Sequence, residues 1–377
     1  EISECLVGSE MCIRDRLTTA TLLTMALAGN VQAAEIRSVG PDGETAVDAS
    51  TIELTDDQIA QIKEGGYTAA ICLHYGGNDW STSQQKGLED TFGELGIEIV
   101  AVTDANFSAE TQVSNIETVM AKKPDILISI PTDATATADA YKQAAAAGIK
   151  IVFMDQRANG LEAGKDYVSV VSADNYGNGY ASGTVLGEAL GGEGKVAMVY
   201  YDANFAPTNQ RDEGFRDAMK NYPDIEIVTE QGFTDESACA EQGDAILTQF
   251  PNIDGIYASW DVPMEGVLSA VRAAGMEGKV TLACNDLGNN VAREVASGNI
   301  AGGGAQMPYD QGVAEAKLAA LALLGEETPS YVAVPAETFT HENVLEAYTD
   351  VYHVETPDWL TEAYVCLLYT SDAADDR

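Results

Sequence analysis

From residue 67 onward the sequence alternates short apolar runs with stretches of helical periodicity, and this alternation constrains the fold more than any other feature. The runs have the length and apolar character of strands buried on both faces. Strand–helix alternation produces parallel sheets with right-handed crossovers, so the sequence predicts an α/β fold. Roughly ten strands over this length favour two doubly wound lobes over one large sheet. The predicted strands are 67–74, 97–103, 125–130, 149–154, 167–172, 196–201, 225–230, 255–259, 280–284 and 300–306.

Both ends of the chain carry segments that we exclude from the fold. Residues 1–16 and 366–377 resemble in-frame translations of sequencing-library adapters. Residues 17–33 are expected to be a truncated signal peptide, because the apolar run is too short to span a bilayer and Val31-x-Ala33 fits a small-residue cleavage site. A buried N-terminal helix is the alternative. We expect an exported protein that is cleaved near Ala33.

The charge and the cysteines exclude several classes of partner. The formal net charge is −40, and each adapter-like segment contributes −2, which leaves −36. Such an acidic surface argues against nucleic acid and anionic membranes as partners. Cys72, Cys239 and Cys284 show no metal-ligand spacing and are expected to be buried, with a Cys239–Cys284 disulfide left open. We therefore expect neither a metal nor a cofactor.

Polar and aromatic side chains follow most of the predicted strands. In an open parallel sheet, ligands lie beyond the carboxyl ends of the strands. Aromatic faces beside carboxylates, amides and a guanidinium suit a small polyhydroxylated ligand. Strand-end Asp and Asn also cap helices and form turns, which we expect of about half of them, including Asp133 and Asp174. The strand-end residues are Asn78, Trp80, Asp133, Asp155, Gln156, Arg157, Asp202, Asn204, Phe233, Trp260, Asp261, Asn285, Asp286 and Gln306.

Local signals also predict where individual helices begin. Thr55-Asp56-Asp57-Gln58 is a capping box at the start of a short helix. The helix after the first predicted strand is expected to begin with Ser81 or Ser83 as its N-cap, and another helix with Ser108.

The order of these motifs resembles the ribose-binding-protein-like family of periplasmic sugar-binding proteins, the type I substrate-binding components of ABC transporters. The resemblance covers residues 67–334. It rests on Asn78-x-Trp80, IPTD at 130–133, IVFMD at 151–155, SADN at 172–175, RDEGF at 211–215, Asp286, and Gln306 followed by DQG at 310–312.

The resemblance implies two lobes joined by a hinge of three crossovers, near residues 173–175, 305–307 and 335–338. The N-terminal lobe would comprise 35–173 and 307–335, and the C-terminal lobe 174–306 and 336–365. The hinge would close on a monosaccharide or sugar alcohol and present both lobes to an ABC transporter permease. The resemblance thus implies a periplasmic, non-enzymatic binding protein, which we expect to be a monomer.

The resemblance also implies a set of sugar contacts. They are Asn78, Trp80 and Asp155 from the first lobe, Arg211, Phe233, Trp260 and Asp286 from the second, and Gln306 from a crossover. Gln156 and Arg157 join the set because this chain has Asp155-Gln156-Arg157 where ribose binders have Asp-Arg. It also has Trp260-Asp261 where they have Asn before Asp. Both departures favour another pentose, a hexose or a sugar alcohol over ribose.

Three other functions are alternatives: a nucleotide-dependent α/β enzyme, a transcriptional regulator and a chemoreceptor-coupled binder. Gly177-x-Gly179 with Gly183 is similar to a dinucleotide fingerprint, but its spacing differs and we favour a hinge and helix start there. A regulator of the lac-repressor type would need a basic helix-turn-helix ahead of the lobes, whereas this chain has an expected signal peptide and acidic residues there. A chemoreceptor-coupled binder of a sugar-like signal stays open. His74 is the one histidine predicted near the cleft, as a hydrogen-bond donor.

Overall fold

The computed structural model describes residues 35–375, so the predicted signal peptide and the first adapter-like segment lie outside the described residues. Strands and helices alternate through most of this range, as the sequence predicts. The strands are β1 (Val47–Asp48), β2 (Thr68–Leu73), β3 (Glu98–Asp104), β4 (Ile126–Ser129), β5 (Lys150–Met154), β6 (Ser169–Ala173), β7 (Glu193–Tyr201), β8 (Asp224–Phe233), β9 (Gly255–Ala258), β10 (Thr281–Asn285), β11 (Gly302–Ala305), β12 (Tyr331–Val334) and β13 (Glu337–Thr340).

The helices pack on both faces of the strands. They are α1 (Asp56–Gly65), α2 (Asp79–Leu95), α3 (Ala109–Ala121), α4 (Ala138–Ala146), α5 (Asn175–Ala189), α6 (Ala206–Met219), α7 (Cys239–Gln249), α8 (Asp261–Ala273), α9 (Asn289–Ala296), α10 (Pro308–Leu323), α11 (Val344–Tyr352) and α12 (Asp358–Asp375). No helix within residues 35–375 is long and apolar enough to cross a bilayer.

The strands form two separate sheets. The first has the order β1-β12-β6-β5-β4-β2-β3 and is parallel throughout. The second has the order β13-β11-β10-β9-β7-β8, and its one antiparallel pair is β13 with β11. We call the first sheet with α1–α4 and α10 the N-terminal lobe, and the second sheet with α5–α9, α11 and α12 the C-terminal lobe.

The chain passes between the two sheets three times, after β6, after β11 and after β12. These passages follow Ala173, Ala305 and Val334. The predicted fold class is therefore confirmed: two doubly wound α/β lobes are joined by three crossovers. Both faces of each sheet carry an apolar cluster, which explains why the central strands are apolar without alternation.

The capping predictions were right for α1 and α3 and wrong for α2. Thr55 and Gln58 form the reciprocal capping box of α1, and Ser108 caps α3. Helix α2 begins earlier than predicted, because the Asn78 side chain accepts a hydrogen bond from the Ser81 backbone N–H at 2.8 Å. Asn78 is therefore the N-cap of α2, and Ser81 and Ser83 lie inside the helix.

The glycines of the apparent dinucleotide fingerprint serve helix packing. A Cβ at Gly179 would lie 1.8 Å from the carbonyl oxygen of Arg211, so only glycine lets α5 and α6 approach this closely. A Cβ at Gly183 would lie 2.6 Å from the Ala218 Cβ on the same facing helix. This close approach fixes the position of Arg211, which α6 carries.

Several elements were not predicted from the sequence. Strands β1, β12 and β13 have two to four residues each, too few to show a period. Only Pro335 and Ala336 separate β12 from β13, so the chain enters the second sheet without a helical crossover. Helix α12 continues past Val365 into the second adapter-like segment.

Cys72, Cys239 and Cys284 are buried free thiols, so the Cys239–Cys284 disulfide that the sequence left open is not formed.

Candidate ligand-binding site

A cavity lies between the lobes, at the carboxyl ends of strands from both sheets. About 520 Å³ of its space, the part open to bulk solvent included, is unoccupied by protein atoms. It is lined by His74, Tyr75, Asn78, Trp80, Phe107, Ile130, Asp155, Tyr201, Phe205, Pro207, Thr208, Arg211, Trp260, Asp261, Asp286 and Gln306.

Most of the predicted ligand-binding residues reach this cavity. They are Asn78, Trp80, Asp155, Arg211, Trp260, Asp286 and Gln306. The topology explains why, since each lies at the end of a strand or in the first turns of the helix that follows it. Residues as far apart in the chain as Asn78 and Gln306 thereby line one cavity, as expected where the strand ends of two doubly wound sheets face each other.

The other three predicted residues lie elsewhere. The Gln156 side chain donates to the carbonyl of Pro131 at 2.8 Å and accepts from the Ala206 N–H at 3.2 Å, so it bridges the lobes behind the cavity. The Arg157 Nη2 pairs with an Asp42 oxygen at 2.6 Å and turns the guanidinium away from the cavity. Phe233 packs behind Trp260, with ring centroids 5.1 Å apart. None of the three lines the space that a ligand would fill.

A chain of hydrogen bonds crosses the cavity wall from one lobe to the other. The Trp80 indole N–H donates to Gln306 Oε1 at 3.2 Å, and Gln306 Nε2 donates to Asp286 Oδ1 at 3.0 Å. Arg211 Nη1 donates to Asp286 Oδ2 at 2.9 Å, and Arg211 Nε donates to Asn175 Oδ1 at 2.9 Å. These hydrogen bonds hold the polar groups in place, and fixed polar groups reduce the ordering cost of binding.

Asp155 faces Arg211 from the N-terminal lobe. Its Oδ1 accepts from Ser172 Oγ at 3.0 Å and from Gln311 Nε2 at 3.3 Å, so the carboxyl group is fixed from behind. Burial raises the pKa of Asp155, and the nearby Arg211 charge opposes that rise. Asp155 and Asp286 both have positive φ, 52° and 68°. Non-glycine residues in this conformation store strain and are common at ligand sites.

Asn78 lies in the cavity wall but has two structural partners. Its side-chain oxygen caps α2, and its amide nitrogen donates to the Tyr75 hydroxyl. Strand-end Asp residues also form turns and cap helices, as predicted. Asp133 accepts from two backbone N–H groups, and Asp174 caps α5. The Asn78 amide is thus less available to a ligand than its position suggests.

The sequence reading missed an aromatic cluster in the cavity. The His74 ring stacks on Phe205 from the opposite lobe with centroids 5.6 Å apart, and Tyr75 stacks on Phe107 at 4.2 Å. Burial lowers the pKa of His74 to about 3, so its ring is neutral at physiological pH. Its Nδ1 is buried and has no hydrogen-bond partner in the part of the chain that the structure describes. His74 was predicted near the cleft and lines the cavity, whereas Tyr75 was not named, although it also lies in the loop directly after β2.

Missed residues of the C-terminal lobe come from the same kind of position. Phe205, Pro207 and Thr208 lie at the start of α6, in the segment after β7, where only Asp202 and Asn204 had been noted.

Within the described residues, no group of three or more Asp, Glu, His or Cys is arranged to hold a metal ion.

Comparison with known proteins places this architecture in a family. The sequence profile of the periplasmic binding protein domain matches residues 69–327. The chain belongs to the periplasmic binding protein family. Ribose import binding protein RbsB of Salmonella typhimurium is 25% identical to this periplasmic binding protein over 283 residues, which are 75% of this chain and 93% of the relative.

Solved structures with bound ligands share the fold. A periplasmic solute-binding protein of an ABC transporter from Actinobacillus succinogenes, with bound D-allose, is 28% identical and superposes with a TM-score of 0.68 over 74% of this chain and 99% of its own. A solute-binding protein from Agrobacterium vitis, bound with α-D-tagatopyranose, is 25% identical with a TM-score of 0.71 over 78% of this chain and 100% of its own. The resemblance to periplasmic sugar-binding proteins is thereby confirmed.

Proposed function

We propose that this periplasmic binding protein captures a monosaccharide or sugar alcohol between its lobes and delivers it to the membrane permease of an ABC transporter. The observation that carries the proposal is the cavity itself, in which preset carboxylates and a guanidinium face aromatic rings. Rings cover the C–H faces of a sugar, and charged groups pair with its hydroxyls. The ribose import protein and the complexes with D-allose and α-D-tagatopyranose support a ligand of this class.

The geometry suggests a division of roles in the site. Asp155 from the N-terminal lobe and Asp286 from the C-terminal lobe accept hydroxyl protons, and Arg211 donates to ligand oxygens. Trp80 and Trp260 supply the aromatic walls. The resemblance also implied three residues that do not line the cavity. In this assignment they support the cavity wall and do not contact the ligand: Gln156, Arg157 and Phe233.

Transport follows from the hinge. A ligand that contacts both lobes stabilises the closed arrangement, because those contacts exist together only when the cleft is shut. We infer that closure aligns the two lobe surfaces for one permease and that the protein works as an exported, periplasmic monomer without bond chemistry. The lobe bounds of 35–173 with 307–335, and of 174–306 with 336–365, remain a prediction.

The first test is a ligand screen on the purified chain. Thermal shift and tryptophan fluorescence are measured against pentoses, hexoses and polyols. A ligand at about a hundred times its Kd adds roughly 2.7 kcal/mol of stability, which is easily detected. Trp80→Ala should abolish the response, while Trp359→Ala, a tryptophan on α12 outside the cavity, should retain it. A response to a nucleotide or amino acid alone, with none to any sugar or polyol, would refute the proposal.

A further inference from the structure

The cavity carries more negative than positive charge. Asp155, Asp261 and Asp286 all line it, and Arg211 is the one cationic side chain among the described residues that does so. Arg211 already pairs with Asp286 at 2.9 Å. The second guanidinium expected there, that of Arg157, is turned away from the cavity. The lining therefore has more carboxyl groups than cationic groups to pair with them.

Asp261 is the carboxylate left without a cation. It lies at the first position of α8, and within residues 35–375 its Oδ1 accepts a hydrogen bond only from the neighbouring Val262 N–H, at 2.8 Å. The charged groups that face it are all acidic: Asp286 from the loop after β10, Glu265 from α8 and Asp79 from α2. Burial, reinforced by the charge of Asp286, raises the pKa of Asp261 well above its ordinary value. An enclosed carboxylate of this kind requires either a proton or a cationic partner.

The surroundings hold the Asp261 carboxyl group in place. Its raised pKa favours the protonated form while no cation is near, and a cation beside it would favour the carboxylate. A Cβ at Gly288 would lie 2.1 Å from Asp261 Oδ2, so the glycine there makes room for the carboxylate. The N-terminus of α8 stabilises a negative charge at this position. The aromatic walls of Trp260 and Tyr75 border the same cavity, and aromatic faces attract cations. A cation supplied by the ligand would complete this arrangement.

We propose that the preferred ligand of this cavity carries an ammonium group, as an amino sugar or amino polyol does, and that Asp261 selects for it. The inference rests on the proposed function and narrows its ligand class. The ammonium group donates to Asp261, while the remaining hydroxyls contact Asp155 and Arg211. Asp261 is then the residue that distinguishes an amino compound from the otherwise identical hydroxyl compound.

Matched ligand pairs test this inference by isothermal titration calorimetry on the full chain at pH 7. The pairs are D-glucosamine with D-glucose, D-galactosamine with D-galactose, D-mannosamine with D-mannose and glucamine with sorbitol. The N-acetylated sugars keep the nitrogen but lose its charge. We expect at least one amino compound to bind about 30-fold or more tightly than both its hydroxyl and its N-acetyl counterparts, since one partner of an enclosed charge pair is worth at least that.

Asp261→Asn should remove most of this preference, because the amide keeps the shape and loses the charge. Asp244→Asn makes the same charge change on the exposed face of α7 and should leave the preference intact. Tighter or equal binding of the hydroxyl compounds by the wild type overturns the inference and leaves the proposed function standing, even if Asp261→Asn does not fold. Retained preference in a folded Asp261→Asn also overturns it. Binding of no compound in any pair also overturns the inference, and the screen against pentoses, hexoses and polyols then decides the proposed function separately.

Discussion

Arg211 is the residue on which the polar groups of the cavity converge. It is 4% exposed and bonds to Asn175, to Asp286 and to the Ser259 carbonyl. Its removal would deprive a ligand of a donor and leave Asp286 as an uncompensated enclosed charge. The same side chain therefore contributes to binding and to stability.

We expect Arg211→Ala to abolish ligand binding and to lower the free energy of unfolding by about 3–5 kcal/mol, the usual cost of breaking a buried ion pair. Calorimetry and urea denaturation measure the two effects. Arg216→Ala is the matched control on the same helix, because its pair with Glu230 is half-exposed and should contribute at most about 1 kcal/mol. Normal affinity in Arg211→Ala would show that the ligand does not occupy this cavity.

Asp212, the next residue along α6, should make stability depend on pH. Its Oδ1 accepts from Ser259 Oγ at 2.7 Å, and burial raises its pKa to about 7. An unfolded Asp loses its proton near pH 4. Between these values the folded state binds one more proton than the unfolded state, so the stability contributed by Asp212 is complete below about pH 4 and is lost as the pH rises through about 7.

Asp212→Asn should therefore stabilise the protein by roughly 2–4 kcal/mol at pH 8 and have little effect at pH 4, since the amide mimics the protonated carboxyl group. Denaturant titrations at the two pH values provide the measurement. Glu213→Gln, at the exposed neighbouring position, should change neither. Destabilisation by Asp212→Asn at pH 8 would mean that the carboxylate is ionised and well satisfied in the folded protein.

At the scale of elements, residues 37–42 form a strap across the hinge. Its start contacts the C-terminal lobe, where the Arg37 guanidinium lies 3.9 Å from the centre of the Tyr180 ring. Its end contacts the N-terminal lobe through the Asp42–Arg157 pair. Between them, Ser38 donates from its N–H and its hydroxyl to Asp174 Oδ1, each at 2.8 Å. The strap precedes residues 69–327, which the family profile matches.

Ser38→Ala should lower the free energy of unfolding by about 1–3 kcal/mol, because the buried hydroxyl also accepts from the Tyr176 N–H at 2.9 Å and both partners would lose a hydrogen bond. Chemical denaturation followed by tryptophan fluorescence gives the value. Ser50→Ala, at an exposed position whose hydroxyl has no such role, is the control. An equal free energy of unfolding in the two variants would show that the Ser38 contacts of the strap do not stabilise the protein.

At the scale of the whole molecule, the lobes also meet at a polar clamp beside the cavity. Asp79 from α2 accepts from the Asn289 backbone N–H at 2.7 Å and from its side-chain amide at 2.8 Å. The carboxylate thereby caps α9 of the opposite lobe, where the helix N-terminus favours a negative charge. Because the contact joins the two lobes, separating them would break it, so we expect it to stabilise the closed state.

Asp79→Ala should reduce the closed population and raise the ligand dissociation rate about tenfold, which corresponds to roughly 1.4 kcal/mol of lost closure energy. Stopped-flow fluorescence measures the rate, and small-angle scattering should report a larger radius of gyration without ligand. Glu89→Ala, on the exposed face of the same helix, should match the wild type. An unchanged dissociation rate in Asp79→Ala would rule out the clamp as a determinant of closure.

The sequence by itself determined the alternation of elements, the two doubly wound sheets and the strand ends from which most cavity residues come. These features follow from apolar periodicity and from topology, both of which are local or pattern-level properties. Asn78, Asp155 and Asp286 could be found because each lies in the segment after a predictable strand, whereas Arg211 was found through the resemblance to the sugar-binding family.

Only the tertiary structure decided the direction in which each side chain points. Arg157 follows the same strand as Asp155, yet it turns away because Asp42 of the distant strap offers it a partner. Phe205 reaches the cavity because it meets His74 of the other lobe. Asp261 lines the cavity among acidic neighbours that lie on three different elements. Such outcomes depend on contacts between residues far apart in the chain, and no local pattern encodes them.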